Sequence, residues 1–308
     1  MGRKVISLVR ISIFVFSSVV SILAMDIKRV ENKIPESIGL RDSIETFNRV
    51  VFWAGVNRII VGEYFGDRKN YLVDISSGQV LSEFSLGKYE HIRKIDRRTG
   101  LVHIWSLEQM KYLSIGHDPA DTDPPLPCLL SYEYHGAPKR KSTFSFVRST
   151  PEGQSQGTPR LVNEIFPPGG LADPGPMNVV DCLRGGEKVL LSAVYESQGS
   201  LYCAQLNDLY LIRISYLGIY GAQAFFVTDD TIITLKNNED IETGEDEPHI
   251  YYPVLVSTEG TVVFENRSIR MIQAVRVFDY DPITKRIVAF IQGPTRTSSR
   301  IAVFQLAE

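Results

Sequence analysis

Gly153-Gln154-Ser155-Gln156-Gly157 matches the pattern G-x-S-x-G. In hydrolases that pattern sets a serine on a tight turn between a strand and a helix, with an Asp and a His downstream. Here it lies between Pro151 and Pro159, no helical pattern comes after it, and the one downstream histidine is His249. An accidental match in a loop is the preferred reading, and no catalytic residue is assigned. His117, Asp118, Asp121 and Asp123 are the candidate metal ligands. Their hard oxygen donors suit Ca²⁺, but the spacing and terminal Glu of a Ca²⁺-binding loop are missing, and Asp residues capping turns ahead of proline compete with that reading. Asn237–Glu247 carries six carboxylates in eleven residues. Such a run is a solvated hairpin tip, or it holds a weakly bound cation.

The remaining chemistry is sparse. Cys128, Cys182 and Cys203 are odd in number and widely spaced, which does not make a disulfide framework. Cys182 and Cys203 fall on strands separated by another strand, too far apart to bridge, so all three read as small core residues. There is no Gly-rich phosphate loop, no H-E-x-x-H and no C-x-x-C.

The elements that must carry these residues are strands. The 308 residues are 44% hydrophobic and include 14 Tyr and 15 Phe, enough for a large β-rich core. Outside the first 24 residues no apolar helical period lasts twelve residues. Short apolar runs alternate with polar turns instead. Asp74-Ile75-Ser76-Ser77-Gly78 and Asp96-Arg97-Arg98-Thr99-Gly100 share the form D-x-x-[ST]-G, and Asp281-Pro282-Ile283-Thr284-Lys285 is a third copy with Lys in place of Gly. The Asp accepts bonds from N–H groups inside the turn, the hydroxyl adds another, and the Gly supplies positive φ.

Turns recur near Gly55–Asn57, Asp96–Gly100, Gly136–Lys139, Arg184–Glu187, Thr228–Thr231 and Asp281–Lys285, roughly 40–53 residues apart. Each is flanked by β-like runs. The expected fold is therefore all-β, a propeller of six blades with about four antiparallel strands each. The rival is a pair of β-sandwiches. The last unit has room for three strands, so residues 25–48, through a strand within Asp26–Ile34, are expected to close the ring. The propeller proper is placed at 49–308, with insertions at Gly116–Pro127 and Ser149–Met177, both rich in Pro. Long loops on a rigid scaffold are where binding surfaces lie.

On Asp96, Thr99, Gly100 and Trp105, and on Asp74, Ser77 and Gly78, the repeat resembles those of β-propellers, nearest to the quinoprotein-like kind, although Trp105 falls one residue late. The resemblance covers about a quarter of the chain. It implies the fold, and both scaffolds and dehydrogenases carry such repeats.

Residues 1–24 read as an export signal, with Arg3, Lys4 and Arg10 ahead of the uncharged run Ile11–Ala24, or as an uncleaved anchor. Removing them takes the net charge from −3 to −6, which gives no electrostatic footprint for nucleic acid. The expectation is an exported, non-catalytic binding or assembly platform in the periplasm, the cell envelope or the medium. Its partner is another protein or an envelope component, and it meets a membrane only through residues 1–24 if these stay attached. The alternative is a propeller hydrolase, lyase or oxidoreductase with its site at the central channel.

Overall fold

The turn chemistry is the local rule from which the fold is built. Asp74 Oδ1 accepts bonds from Ser76 N, Ser76 Oγ and Ser77 N at 2.9, 2.6 and 2.9 Å. Asp96 Oδ1 accepts Arg98 N at 3.0 Å, and Asp281 accepts Ile283 N and the Thr284 hydroxyl. Gly78, Gly100 and Lys285 close these turns at φ +81°, +66° and +53°. A Cβ at Gly100 would lie 2.4 Å from the carbonyl carbon of Gly116, so this glycine also makes room for the chain that crosses it.

The computed structural model describes residues 26–39, 41–42, 48–64, 69–106, 109–124, 128, 130–135, 143–150, 153–161, 177–183, 186–195, 198–221, 223–238, 249–295 and 298–307. The proposed signal, residues 1–24, and residues 239–247 of the acidic run lie outside the described residues.

The chain opens with β1 (Asp26–Val30), the one-turn helix α1 (Glu36–Gly39) and β2 (Arg41–Asp42). The first sheet comes next as β3 (Arg49–Trp53), β4 (Arg58–Glu63), β5 (Lys69–Asp74) and β6 (Val80–Ser85), and the second as β7 (Glu90–Asp96), β8 (Leu101–Ser106) and β9 (Gln109–Ser114). The third sheet holds β10 (Leu130–His135), β11 (Thr143–Thr150), β12 (Gly153–Gln156) and β13 (Arg160–Leu161). The fourth holds β14 (Asn178–Cys182), β15 (Lys188–Tyr195), β16 (Gln198–Asn207) and β17 (Tyr210–Gly221). The fifth gathers ten strands: β18 (Ala224–Phe226), β19 (Thr231–Asn237), β20 (Ile250–Ser257), β21 (Val262–Glu265), β22 (Met271–Ile272), β23 (Phe278–Asp281), β24 (Arg286–Gln292) and β25 (Ser298–Ala307), with β1 and β2 paired to β25.

This is an all-β propeller arrangement. Apolar seams join neighbouring sheets around the ring. Phe52 and Ile60 pack on Ile92 and Val102, Phe144 and Phe146 on Val189 and Leu191, and Leu190 and Leu201 on Phe226 and Ile232. Ile233 and Leu255 pack on Phe278 and Ile287, and Val51 and Ile59 on Phe290 and Val303, which brings the last strands back to the first sheet.

Two expectations are corrected. Four blade-sized sheets stand alone, not six. The reason is Met271, which pairs with Tyr251 of β20 and with Ile291 of β24 and so joins the last strand sets into one ladder. Nor does every sheet reach four full strands. The second has three, and in the third β12 and β13 are two short pieces on the edge of β11, separated by Gly157–Pro159.

The third sheet also runs backwards. Cys128, just ahead of β10, forms a disulfide with Cys182 at the end of β14, with Cα atoms 5.5 Å apart. Leu130, the first residue of β10, packs at Gly186, in the turn after β14. The neighbouring inner strands β10 and β14 therefore point in opposite directions. A second sheet of three strands leaves the chain on the turn face, and the third sheet starts from there.

Candidate functional site

The Pro-rich segment after β9 lies on the turn face and is fixed there by charge. Arg97 donates from Nε to Asp121 Oδ2 at 2.6 Å and from Nη1 to Asp281 Oδ1 at 2.7 Å. All three side chains are buried, at 5, 1 and 0% exposure. Asp118 faces Arg58 at 3.8 Å and accepts Asn57 N at 3.4 Å, and His117 Nδ1 lies 3.0 Å from Arg97 O. Of the four candidate metal ligands, three thus join the turns of the first, second and fifth sheets to the crossing chain, and Asp123 is exposed on the same segment. Among the described residues no group of three or more His, Cys, Asp or Glu is gathered that could hold a metal ion.

The opposite, open face carries a cavity of about 260 Å³ where inner strands begin. Phe52 comes from β3, His91 and Arg93 from β7, Val179 from β14, Phe225 from β18, and Arg276 from the segment ahead of β23. Arg276 is held rigidly. Its guanidinium carbon lies 4.5 Å from the Phe52 ring centre and 5.4 Å from that of Phe225. Its Nη2 donates to Asp279 Oδ1 at 2.7 Å, and Asp279 Oδ2 also accepts Trp53 N at 2.7 Å. Gln223 braces the segment by donating to Val275 O and accepting from Val277 N. His91 stacks on Tyr64 at 4.8 Å, and burial, then the charge of Arg93, lowers its pKa.

Asp181 of β14 accepts Phe226 N at 2.8 Å. Burial pushes its carboxyl up to about 7, the charge of Asp279 adds to this, and the bonds from Phe226 and Cys182 and the charge of Arg276 oppose it. Sequence reasoning misses this carboxyl. Its signal is faint, a lone Asp at the end of the apolar run Val179–Val180.

A third feature lies on the outer edge. Cross-strand rows on one face of the fourth sheet run Val189–Ala204–Ile214, Leu191–Tyr202–Tyr216 and Ala193–Ser200–Ile219. The inner members pack on Phe144 and Phe146 of the third sheet. Of the outer members, Ile214 still packs on that cluster, while Tyr216 and Ile219, beyond the short β12 and β13, do not. Tyr216 is 54% and Ile219 60% exposed. Arg213, the one charged residue of β17, is paired with Glu259 at 2.6 Å. Among the described residues β17 pairs only with β16.

Two further sequence candidates are placed by the fold. Ser155 sits within the strand β12, opposite Arg148 of β11, and is exposed, so it is not on the strand-to-helix turn a nucleophilic serine needs. The cysteine reading is corrected. Cys128 and Cys182 are bridged, while Cys203 is buried and free, its thiol pushed up to about 11 by burial. Strand spacing rules out a bridge only inside one sheet, and the reversal of β10 that brings Cys128 to Cys182 leaves no local mark in the sequence.

No family model matches the sequence, and no curated protein matches it. Solved structures with similar folds include an oligogalacturonate lyase from Vibrio parahaemolyticus, at 9% identity and TM-score 0.43, covering 92% of this chain and 97% of that one. An auxiliary nutrient binding protein from Bacteroides thetaiotaomicron matches at 11% identity and TM-score 0.40, over 92% of this chain and 77% of that one. At these scores the likenesses carry no argument about chemistry or partners.

Proposed function

We propose that this chain is an exported, non-catalytic platform that captures an extended, uncharged apolar segment of a partner protein along β17. The carrying observation is the uncovered pair Tyr216 and Ile219 beside a sheet that ends one strand early. A partner strand laid on the edge of β12 and β13 would occupy the place of a fourth strand and cover both side chains. Covering these two half-exposed side chains is worth roughly 2–3 kcal/mol before the costs of association, and main-chain bonds to an open strand edge add to it. An apolar strand whose one charge, Arg213, is already paired would otherwise invite aggregation.

Further features support parts of this reading. The Cys128–Cys182 disulfide fits an oxidising compartment and so favours export. Within the ten-stranded sheet, β18–β21 and β23–β24–β25–β1 each form a blade-like set joined through β22, so we read the ring as six units. We read the repeat as quinoprotein-like on the Asp74 and Asp96 turns. The propeller enzyme is the second reading, and Asp181 beside the ion-paired Asp279 favours it: two carboxyls with different proton affinities are what acid–base chemistry uses. Asp181 does not line the cavity, which is why the platform is preferred.

The test is a crosslinked pull-down of the tagged protein from its native cells. Wild type is expected to retain a stoichiometric protein partner that the Tyr216→Glu, Ile219→Glu variant loses, with melting temperature unchanged because both sites are on the surface. An identical partner set from both proteins, or none from either, would overturn the proposal.

A further inference from the structure

The open-face cavity is independent of the β17 strip. Two guanidinium groups, Arg93 and Arg276, and one imidazole, His91, line it. No carboxylate does. Asp279 faces Arg276 from β23, but it also accepts Trp53 N. The Nε of Arg276 is buried without an acceptor among the described residues. Arg93 is exposed and has no carboxylate partner among the described residues. The cavity therefore holds more positive than negative charge on a mixed wall, where Tyr64 and Gln223 stand beside apolar residues such as Val179, Val180 and Val275.

Such a wall selects its ligand. Planar guanidinium matches a planar carboxylate through paired N–H donors. The apolar stretch of the wall, Val179, Val180 and Val275, suits an apolar body beside that group. An arginine fork also matches a tetrahedral oxyanion, and the apolar part of the wall is what favours an organic acid over one. At about 260 Å³ the space suits a ligand below drug size. The geometry points to a small organic carboxylate, bound with its carboxylate at Arg93 and Arg276 and its apolar part against Val179 and Val275. Arg276 is a positioned ligand-binding group here because Phe52, Phe225 and Asp279 fix its plane before the ligand arrives, so little side-chain freedom is lost on binding.

The probes are benzoate and hexanoate, each compared with its own amide and with inorganic sulfate, titrated calorimetrically into the purified protein. One site per chain is expected for at least one of the two acids. The matching amide and sulfate should bind at least about tenfold more weakly. Arg93→Gln, on an exposed side chain, should weaken the acid at least about tenfold while leaving the melting temperature unchanged. Arg276→Lys keeps the charge but not the fork, and should also weaken it. The inference is overturned if neither acid binds, if an amide or sulfate binds as well as the acid, or if Arg93→Gln binds like wild type.

Discussion

Asp181 is where a single proton is coupled to the whole fold. Its carboxyl is raised from the ordinary 3.8 to about 7, chiefly by burial. A carboxyl raised on folding binds its proton more tightly in the folded state. Its stabilising share is complete below about pH 4 and is lost as pH rises through about 7. Asp181→Asn keeps an oxygen for Phe226 N and removes the charge. The stability of the variant relative to wild type should therefore grow by about 1–3 kcal/mol between pH 5 and pH 8, read from urea unfolding at both pH values. A constant difference would show that this carboxyl titrates normally. Charges on the turn face do a different job. Arg97 bridges Asp121 and Asp281, and removing one partner of such a buried set typically costs about 3–5 kcal/mol.

At the scale of elements, the N-terminal strand has the most to hold. β1 runs antiparallel to β25 from Asp26–Ala307 to Val30–Val303, and Ile27 is buried in the last seam. Lys33 N then donates to Ile75 O of the first sheet at 2.9 Å, and Ile34 packs there. We read this segment as the tie between the two ends of the chain. Deleting Asp26–Ile34 should lower the melting temperature by roughly 6 °C or more, the equivalent of about 3 kcal/mol in a domain of this size. An unchanged melting temperature would mean that the strand is an ornament on β25.

Much of this level is legible in the sequence because it is local. The D-x-x-[ST]-G turns bond within themselves, and runs such as Val50–Trp53 and Arg286–Ile291 carry their own β propensity. A strand supplied by Asp26–Ile34 can be inferred because three strands leave an edge. The direction of β10 cannot, since a strand has the same alternation read either way. The short ends of the third sheet are hidden inside a segment that looks like one long loop, and so Tyr216 and Ile219 give no sign of losing their cover. The cavity arginines are equally silent, because Arg93 and Arg276 meet only across the ring.

For the whole molecule, the two faces are unlike. One is closed by the crossing segment His117–Asp121 and its ion pairs, the other opens on the cavity of Arg93 and Arg276. None of the apolar seams spans the second and third sheets among the described residues, and it is there that the chain reverses. No helix among the described residues is long and apolar enough to cross a membrane. The platform proposal rests on the short third sheet lying beside the exposed Tyr216 and Ile219 of β17. The most direct test is a photo-crosslinking side chain placed at position 216 and, as a control of similar exposure on another outer strand, at Val263. In native cells the platform reading predicts one strong crosslinked partner from position 216, lost on adding Ile219→Glu, and none from position 263. Equal crosslinking from both positions, or none from 216, would contradict it.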